Sequence, residues 1–147
     1  MKLQIASQLA IFAVLELTAS SDGQLSVAEI GQKYGVSSHH LAKVMHVLAR
    51  AGLVRSVRGA GGGYWFSGNI RRVTLLDIIE LFEELGSDHS NASRSRAVTD
   101  EARALHQILA EIDNIARATL GSITIATMLK LAERHRANAR QPAARLG

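Results

Sequence analysis

The stretch LARAGLVRSVRGAGGGYWF, Leu48 to Phe66, changes its periodicity in the middle. Up to Ala51 it continues a helical rhythm. After Gly52 it alternates: Leu53 to Val57 and Tyr64-Trp65-Phe66 read as two short strands, with Arg58 to Gly63 as their connection. Glycine loses more freedom on folding than any other residue, so four of them between Arg58 and Tyr64 call for a reason. A hairpin tip supplies one, because glycine reaches backbone angles closed to other residues and lets the main chain approach another surface closely. The three aromatics, which include the chain's one tryptophan, then anchor the return strand and are expected in the core of the hairpin.

Upstream, SSHHLAKVMHVLARAG buries Leu41, Val44, Met45 and Leu48 at helical spacing, which turns Ser38, His39, Ala42, Lys43 and His46 outward. Ser37 is placed to cap this helix. Ser26-Val-Ala-Glu29 forms a capping box that opens a shorter helix, and Gly35 can take the left-handed conformation that ends it. Two helices joined by a short glycine-containing turn are a helix-turn-helix, and a hairpin behind one makes a winged helix.

Residues 3–19 are apolar almost all round, through Leu3, Ile5, Leu9, Ile11, Phe12, Val14, Leu15 and Leu17, and are expected to be sandwiched in the core. The segment has a superficial look of a signal peptide, but Gln4, Ser7, Gln8 and Glu16 interrupt it and it is short for a membrane span. Downstream, Thr74 caps a helix expected to run to Leu85, and a polar stretch follows. From Asp100 a long helix carries Leu105, Ile108, Leu109, Ile112, Ile115, Ala116 and Leu120 in a three-and-four rhythm that asks for a partner surface, most simply a second copy of the chain. A break at Gly121-Ser122 precedes a last helix, expected to end near Arg134 before a basic tail.

The fold expected is therefore mainly α with a small β-hairpin: a winged helix-turn-helix domain over 1–85, a loop over 86–99, dimerisation helices over 100–136 and a tail over 137–147. Charge follows these divisions. Between Ile30 and Leu76 there is no acid, while Lys33, Lys43, Arg50, Arg55, Arg58, Arg71 and Arg72 supply seven positive charges. From Asp77 to Asp113 nine acids face three arginines. The acid-free block coincides with the winged helix, as a DNA-binding surface requires: cations displace condensed counterions, the second helix fits the major groove, and a wing enters the minor groove, where Arg58 suits the narrow negative potential.

Other chemistry lacks its residues. His39, His40 and His46 do not have a convincing metal-ligand spacing. The GAGGG run has neither the Lys-Ser/Thr nor the following helix of a nucleotide loop, and no nucleophile–base pairing stands out, so an enzyme is not expected. The absence of cysteine excludes disulfides and thiolate-held metal centres.

Through LARAGLVRSVRGAGGGYWF and VTLLDIIELFE the chain resembles the Rrf2 family of bacterial transcription regulators, whose signature has an AGL-V-S-RG-GGY wing and a T-L-x-D-I helix. The match is collinear from the MKL start to the SITIATML segment. The resemblance implies that Ser38, His39 and Lys43 read the major groove, that Arg58 and Gly59 enter the minor groove, and that Leu105, Ile108, Leu109, Ile112, Ile115 and Leu120 build a homodimer. It also implies double-stranded DNA as partner. Ala42 departs from relatives that carry an acidic base-reading residue there, so an operator preference does not transfer.

Many members of that family hold an iron–sulfur cluster with three cysteines between the positions of Gly86 and His106, some adding a histidine three residues after the third. Here Arg103-Ala-Leu-His106 falls where that Cys-x-x-His element would stand, with His106 as a remnant ligand and every thiolate gone. Three readings stay open: a natural cluster-free regulator, a cluster protein with cysteines replaced at positions such as Ser90, Ala92, Ser93 or Ala97, and a site rebuilt from His89, His106 and carboxylates. The protein expected from these features is a cytoplasmic homodimeric repressor with no cofactor and no membrane association, acting on a partly palindromic operator. Its alternative is a winged-helix protein-interaction module without useful DNA affinity.

Overall fold

A computed structural model describes residues 1–85 and 99–141. The order is α1 (Ile5–Ala19), β1 (Gln24–Leu25), α2 (Val27–Tyr34), α3 (Ser38–Arg50), β2 (Val54–Val57), β3 (Gly63–Phe66), α4 (Leu75–Ile79), α5 (Asp100–Ser122) and α6 (Ile125–Arg140). The helix α1 has no single apolar side and is covered from several directions: α3, α4, α6 and the sheet all touch it. Ala10, Ala13 and Val14 have no exposed surface, and Leu9, Ile11 and Leu17 are nearly as deep. The expectation of a sandwiched first helix holds except at Ile5, which lies at its solvent end, 69% exposed.

The strands form one antiparallel sheet in the order β1-β3-β2. The hairpin pairs Val54 with Phe66 and Val57 with Gly63. A third strand, β1, pairs Gln24 with Trp65 and Leu25 with Tyr64, and extends the two-stranded wing read from sequence. Alternation along β3 turns Tyr64 and Phe66 onto the core. It also turns Trp65 outward, 39% exposed, which corrects its expected place in the hairpin core.

Thr74 caps α4 in a reciprocal box with Asp77. The helix ends at Ile79, short of Leu85, and tightens into turns in which Leu81 and Phe82 donate to the carbonyls three residues earlier. The acids of this segment are engaged by distant parts of the chain. The Glu83 carboxylate accepts from the Gln4 backbone N–H at 2.8 Å and from the fully buried Ser7 hydroxyl at 2.5 Å, and so caps α1 from a remote part of the chain. Arg117 of α5 pairs with Glu80. The break between α5 and α6 docks on the start of α4 and the segment before it: Leu75 donates to the Ile123 carbonyl at 2.9 Å, and Ile125 and Ala126 donate to Val73 and Ile70.

The last helix continues to Arg140, past the expected end near Arg134. Arg and Ala are good helix formers, so the polar run that reads as a tail is compatible with further turns. Glu83→Ala would strand the buried Ser7 hydroxyl and uncap Gln4. It should destabilise the fold by about 1–3 kcal/mol in urea denaturation followed by circular dichroism, and Glu83→Gln, which keeps an acceptor, should cost less.

Candidate nucleic-acid interface

The first helix of the motif begins with the capping box expected from sequence: Glu29 N–H donates to the Ser26 hydroxyl at 3.1 Å, and the Glu29 carboxylate accepts from Ser26 N–H at 2.6 Å. Gly35 ends α2 in the left-handed conformation, at φ 64°. Gly31 makes the turn possible, since a Cβ there would stand 2.7 Å from the Val36 carbonyl oxygen. The next helix starts at the Ser37 cap, which accepts from His40 N–H at 3.2 Å. Leu41, Val44, Met45 and Leu48 are buried, so Ser38, His39, Ala42, Lys43 and His46 present an exposed polar face.

Gly52 turns the chain from α3 into β2, and the base of the hairpin is closed by Ser67, whose N–H donates to Leu53 and whose hydroxyl donates to the Gly52 carbonyl. The tip holds Arg58 and Gly59, both exposed. The residues proposed from sequence thus fall into two groups, Ser38, His39 and Lys43 on the helix and Arg58 and Gly59 on the wing. The glycines divide into two uses. Gly59 and Gly61 have positive φ, at 106° and 77°. At Gly63 the reason is contact, because a Cβ would lie 2.5 Å from the Leu25 carbonyl oxygen of β1. The close approach there is thus to the protein's own third strand.

Sequence reasoning did not reach Gln24. Its side-chain amide donates to the Gly61 carbonyl at 2.6 Å and ties the wing tip to β1. On the outer face of the sheet the Arg55 guanidinium lies 5.8 Å from the centre of the Trp65 ring, its partner across the ladder. The pairing depends on strand register, which periodicity alone does not supply.

Electrostatics refine the seven-cation block. Lys33 donates to Glu16 of α1 at 2.6 Å, and the Tyr34 hydroxyl donates to the same oxygen at 2.7 Å while its ring stacks on Phe12. Lys43, Arg50, Arg55, Arg58, Arg71 and Arg72 are exposed, and among the described residues no carboxylate pairs with them. Burial pushes the Glu16 carboxyl up. The hydrogen bonds from Lys33 and Tyr34, together with the charges of Lys33 and Arg136, outweigh that and hold it below its ordinary value. Burial and the hydrogen bond to Glu16 push the Tyr34 hydroxyl upward.

Away from the winged helix, α5 carries a stripe of exposed apolar residues. Leu105, Ile108, Ile112 and Ile115 are 58, 56, 55 and 67% exposed at spacings of three and four. Leu109 is partly buried. The rhythm extends this seam to Leu120, but Leu120 packs on the core of its own chain.

A profile of the Rrf2 family, described as an iron-dependent transcriptional regulator, matches residues 3–131. The chain belongs to the Rrf2 family. BadM of Rhodopseudomonas palustris, assigned to the HTH-type transcriptional regulators, is 49% identical over 136 residues, which cover 92% of this chain and 86% of that protein. Among solved structures, CymR, the global cysteine regulator of B. subtilis, superposes with a TM-score of 0.72 at 26% identity, covering 89% of this chain and 98% of the other. IscR of T. potens gives a TM-score of 0.68 at 28% identity, covering 98% and 94%. This Rrf2 protein is accordingly a transcriptional regulator of the helix-turn-helix type, with the winged fold and long C-terminal helix of its relatives.

The iron chemistry named for the family does not fit the donors present here. The chain has no cysteine, so a thiolate-held cluster has no ligands. Among the described residues no three His, Asp or Glu side chains converge as a metal set. His106 is half-buried on α5, while His89, Ser90, Ala92, Ser93 and Ala97 lie outside the described residues. Among the described residues no helix is long and apolar enough to cross a membrane.

The Glu16 cluster has a pH signature. A carboxyl whose folded pKa lies below its ordinary value of 4.5 stabilises the fold above that pH and loses the contribution as pH falls through the folded pKa. Urea denaturation should find Glu16→Gln less stable than wild type at neutral pH, with the gap closing as the medium is acidified below the ordinary carboxylate range.

Proposed function

We propose that the protein is a cytoplasmic homodimeric repressor that binds a partly palindromic operator, with Ser38, His39 and Lys43 in the major groove and Arg58 and Gly59 in the adjacent minor groove. One observation carries the DNA-binding arrangement: the exposed polar face of α3 runs through Gly52 directly into a glycine-tipped wing, in a block with no acidic residue. Six of its cations have no carboxylate partner among the described residues and are available to phosphates. The apolar stripe Leu105, Ile108, Ile112 and Ile115, with Leu109 beside it, supports the dimer, because a surface with this spacing loses its contact with water when a second copy covers it. Leu120 then serves to hold α5 on its own domain. Occupation of an operator by such a dimer excludes other proteins from the same DNA, which is the simplest route to repression. No catalytic step and no bound cluster enter this reading.

Two sets of variants test it on duplexes recovered by genomic pull-down with the full-length protein. Ile112→Glu places a charge in the stripe. Light scattering should find monomer or aggregate, and binding should fall by about a hundredfold or more because two half-sites are no longer engaged together. A wild-type monomer that binds at full affinity contradicts the dimer. Arg58→Ala should weaken binding to all sequences and make the log–log salt dependence shallower by about one unit. Lys43→Ala should instead erode discrimination among bases by about 1–3 kcal/mol. Recovery of no enriched sequence would favour a protein-interaction module.

A further inference from the structure

We infer that Gln24 is a positioning residue for DNA binding: it holds the wing tip in its bound shape through the hydrogen bond to Gly61 while touching no DNA itself. The inference rests on the reading that the wing contacts DNA. The loop between β2 and β3 contains Arg58, Gly59, Ala60, Gly61 and Gly62, and its internal tie is a turn in which Gly62 N–H donates to the Gly59 carbonyl at 2.9 Å. With Gly59 and Gly61 both at positive φ, this loop reaches conformations that few other sequences can. The same freedom would have to be surrendered when it enters a groove, and that loss weakens binding unless the loop is ordered beforehand.

The order comes from the third strand. Gln24 pairs with Trp65 on β3, and from that fixed register its amide reaches past the strand to the Gly61 carbonyl at 2.6 Å. Gly63, with room for no Cβ against the Leu25 carbonyl, keeps β1 close enough for the reach. Asp22 and Glu29 line the same cleft as Gln24, Gly61 and Gly62. Phosphates are repelled from that side, so the amide's role is toward the loop.

The donor is a neutral amide and its partner is a backbone carbonyl, so loss of the bond removes no positive charge from the interface. Gln24→Ala, and Gln24→Met, which keeps the length without the N–H, should bind about three- to tenfold more weakly, with the slope of log affinity against log salt unchanged. Arg58→Ala serves as the reference. Because Gln24 acts through the loop that presents Arg58, the double variant Gln24→Ala/Arg58→Ala should lose less than the product of the two single losses.

The experiment is fluorescence anisotropy of the four proteins and wild type across a salt series, on a duplex recovered by the pull-down, with circular dichroism to show that each is folded. Folded Gln24 variants that bind like wild type while Arg58→Ala is weakened overturn the inference and leave the wing reading standing. Losses that multiply fully, or a shallower salt slope in the Gln24 variants, also overturn it, since Gln24 would then act independently of Arg58. If Arg58→Ala also binds like wild type, the wing reading itself fails.

Discussion

Burial of α1 on several sides is the constraint on which the rest of the structure depends. The helix α3, the wing sheet, α4 and α6 meet on it, and Ala10 and Ala13 remove the side-chain bulk that would hold them apart. Each large apolar residue withdrawn there contributes about 1.5–3 kcal/mol, but the geometric consequence matters more for function. The helix that presents Lys43 and the hairpin that presents Arg58 are referred to one rigid element, so their spacing is a property of the core. The remote cap from Glu83 fixes the start of that element and the Lys33–Glu16–Tyr34 cluster fixes its far end.

Features set by neighbouring residues were legible in the sequence. The Ser26–Glu29 box, the Ser37 and Thr74 caps, the left-handed Gly35 and both hairpin strands depend on side chains and backbone a few positions apart, and they stand where those residues place them. Features set by distant partners were not. The strand β1 has two residues and no periodicity, and it exists because Gly63 leaves room for it. The helix α4 stops early while Glu83, a few residues on, caps α1. Trp65 reads as a core residue by composition, yet strand register sends it outward beneath Arg55. The site was legible as a set of exposed positions, and Gln24 was missed because its role is visible only once Gly61 is beside it.

The separation of charge has a physical logic in the folded chain. Lys33 belongs to the basic block in sequence but is engaged by Glu16, which leaves the remaining cations as the field a polyanion meets. The acid-rich part includes α5, whose exposed face is apolar along one stripe and charged elsewhere. A surface of that kind suits a second protein chain and is repelled by phosphate. The same separation is consistent with a DNA-binding fold that needs no cluster: the residues that fix α1, α3 and the wing form their own apolar core, and the chain has no thiolate.

Hydroxyl-radical footprinting of wild-type protein on a duplex recovered by genomic pull-down tests the central claim most directly. Two winged helices held by one dimer predict protection of two symmetry-related half-sites, about one helical turn or a whole multiple apart, each with an adjoining protected stretch of minor groove. A single unrepeated patch, or protection without the minor-groove flank, would contradict the account.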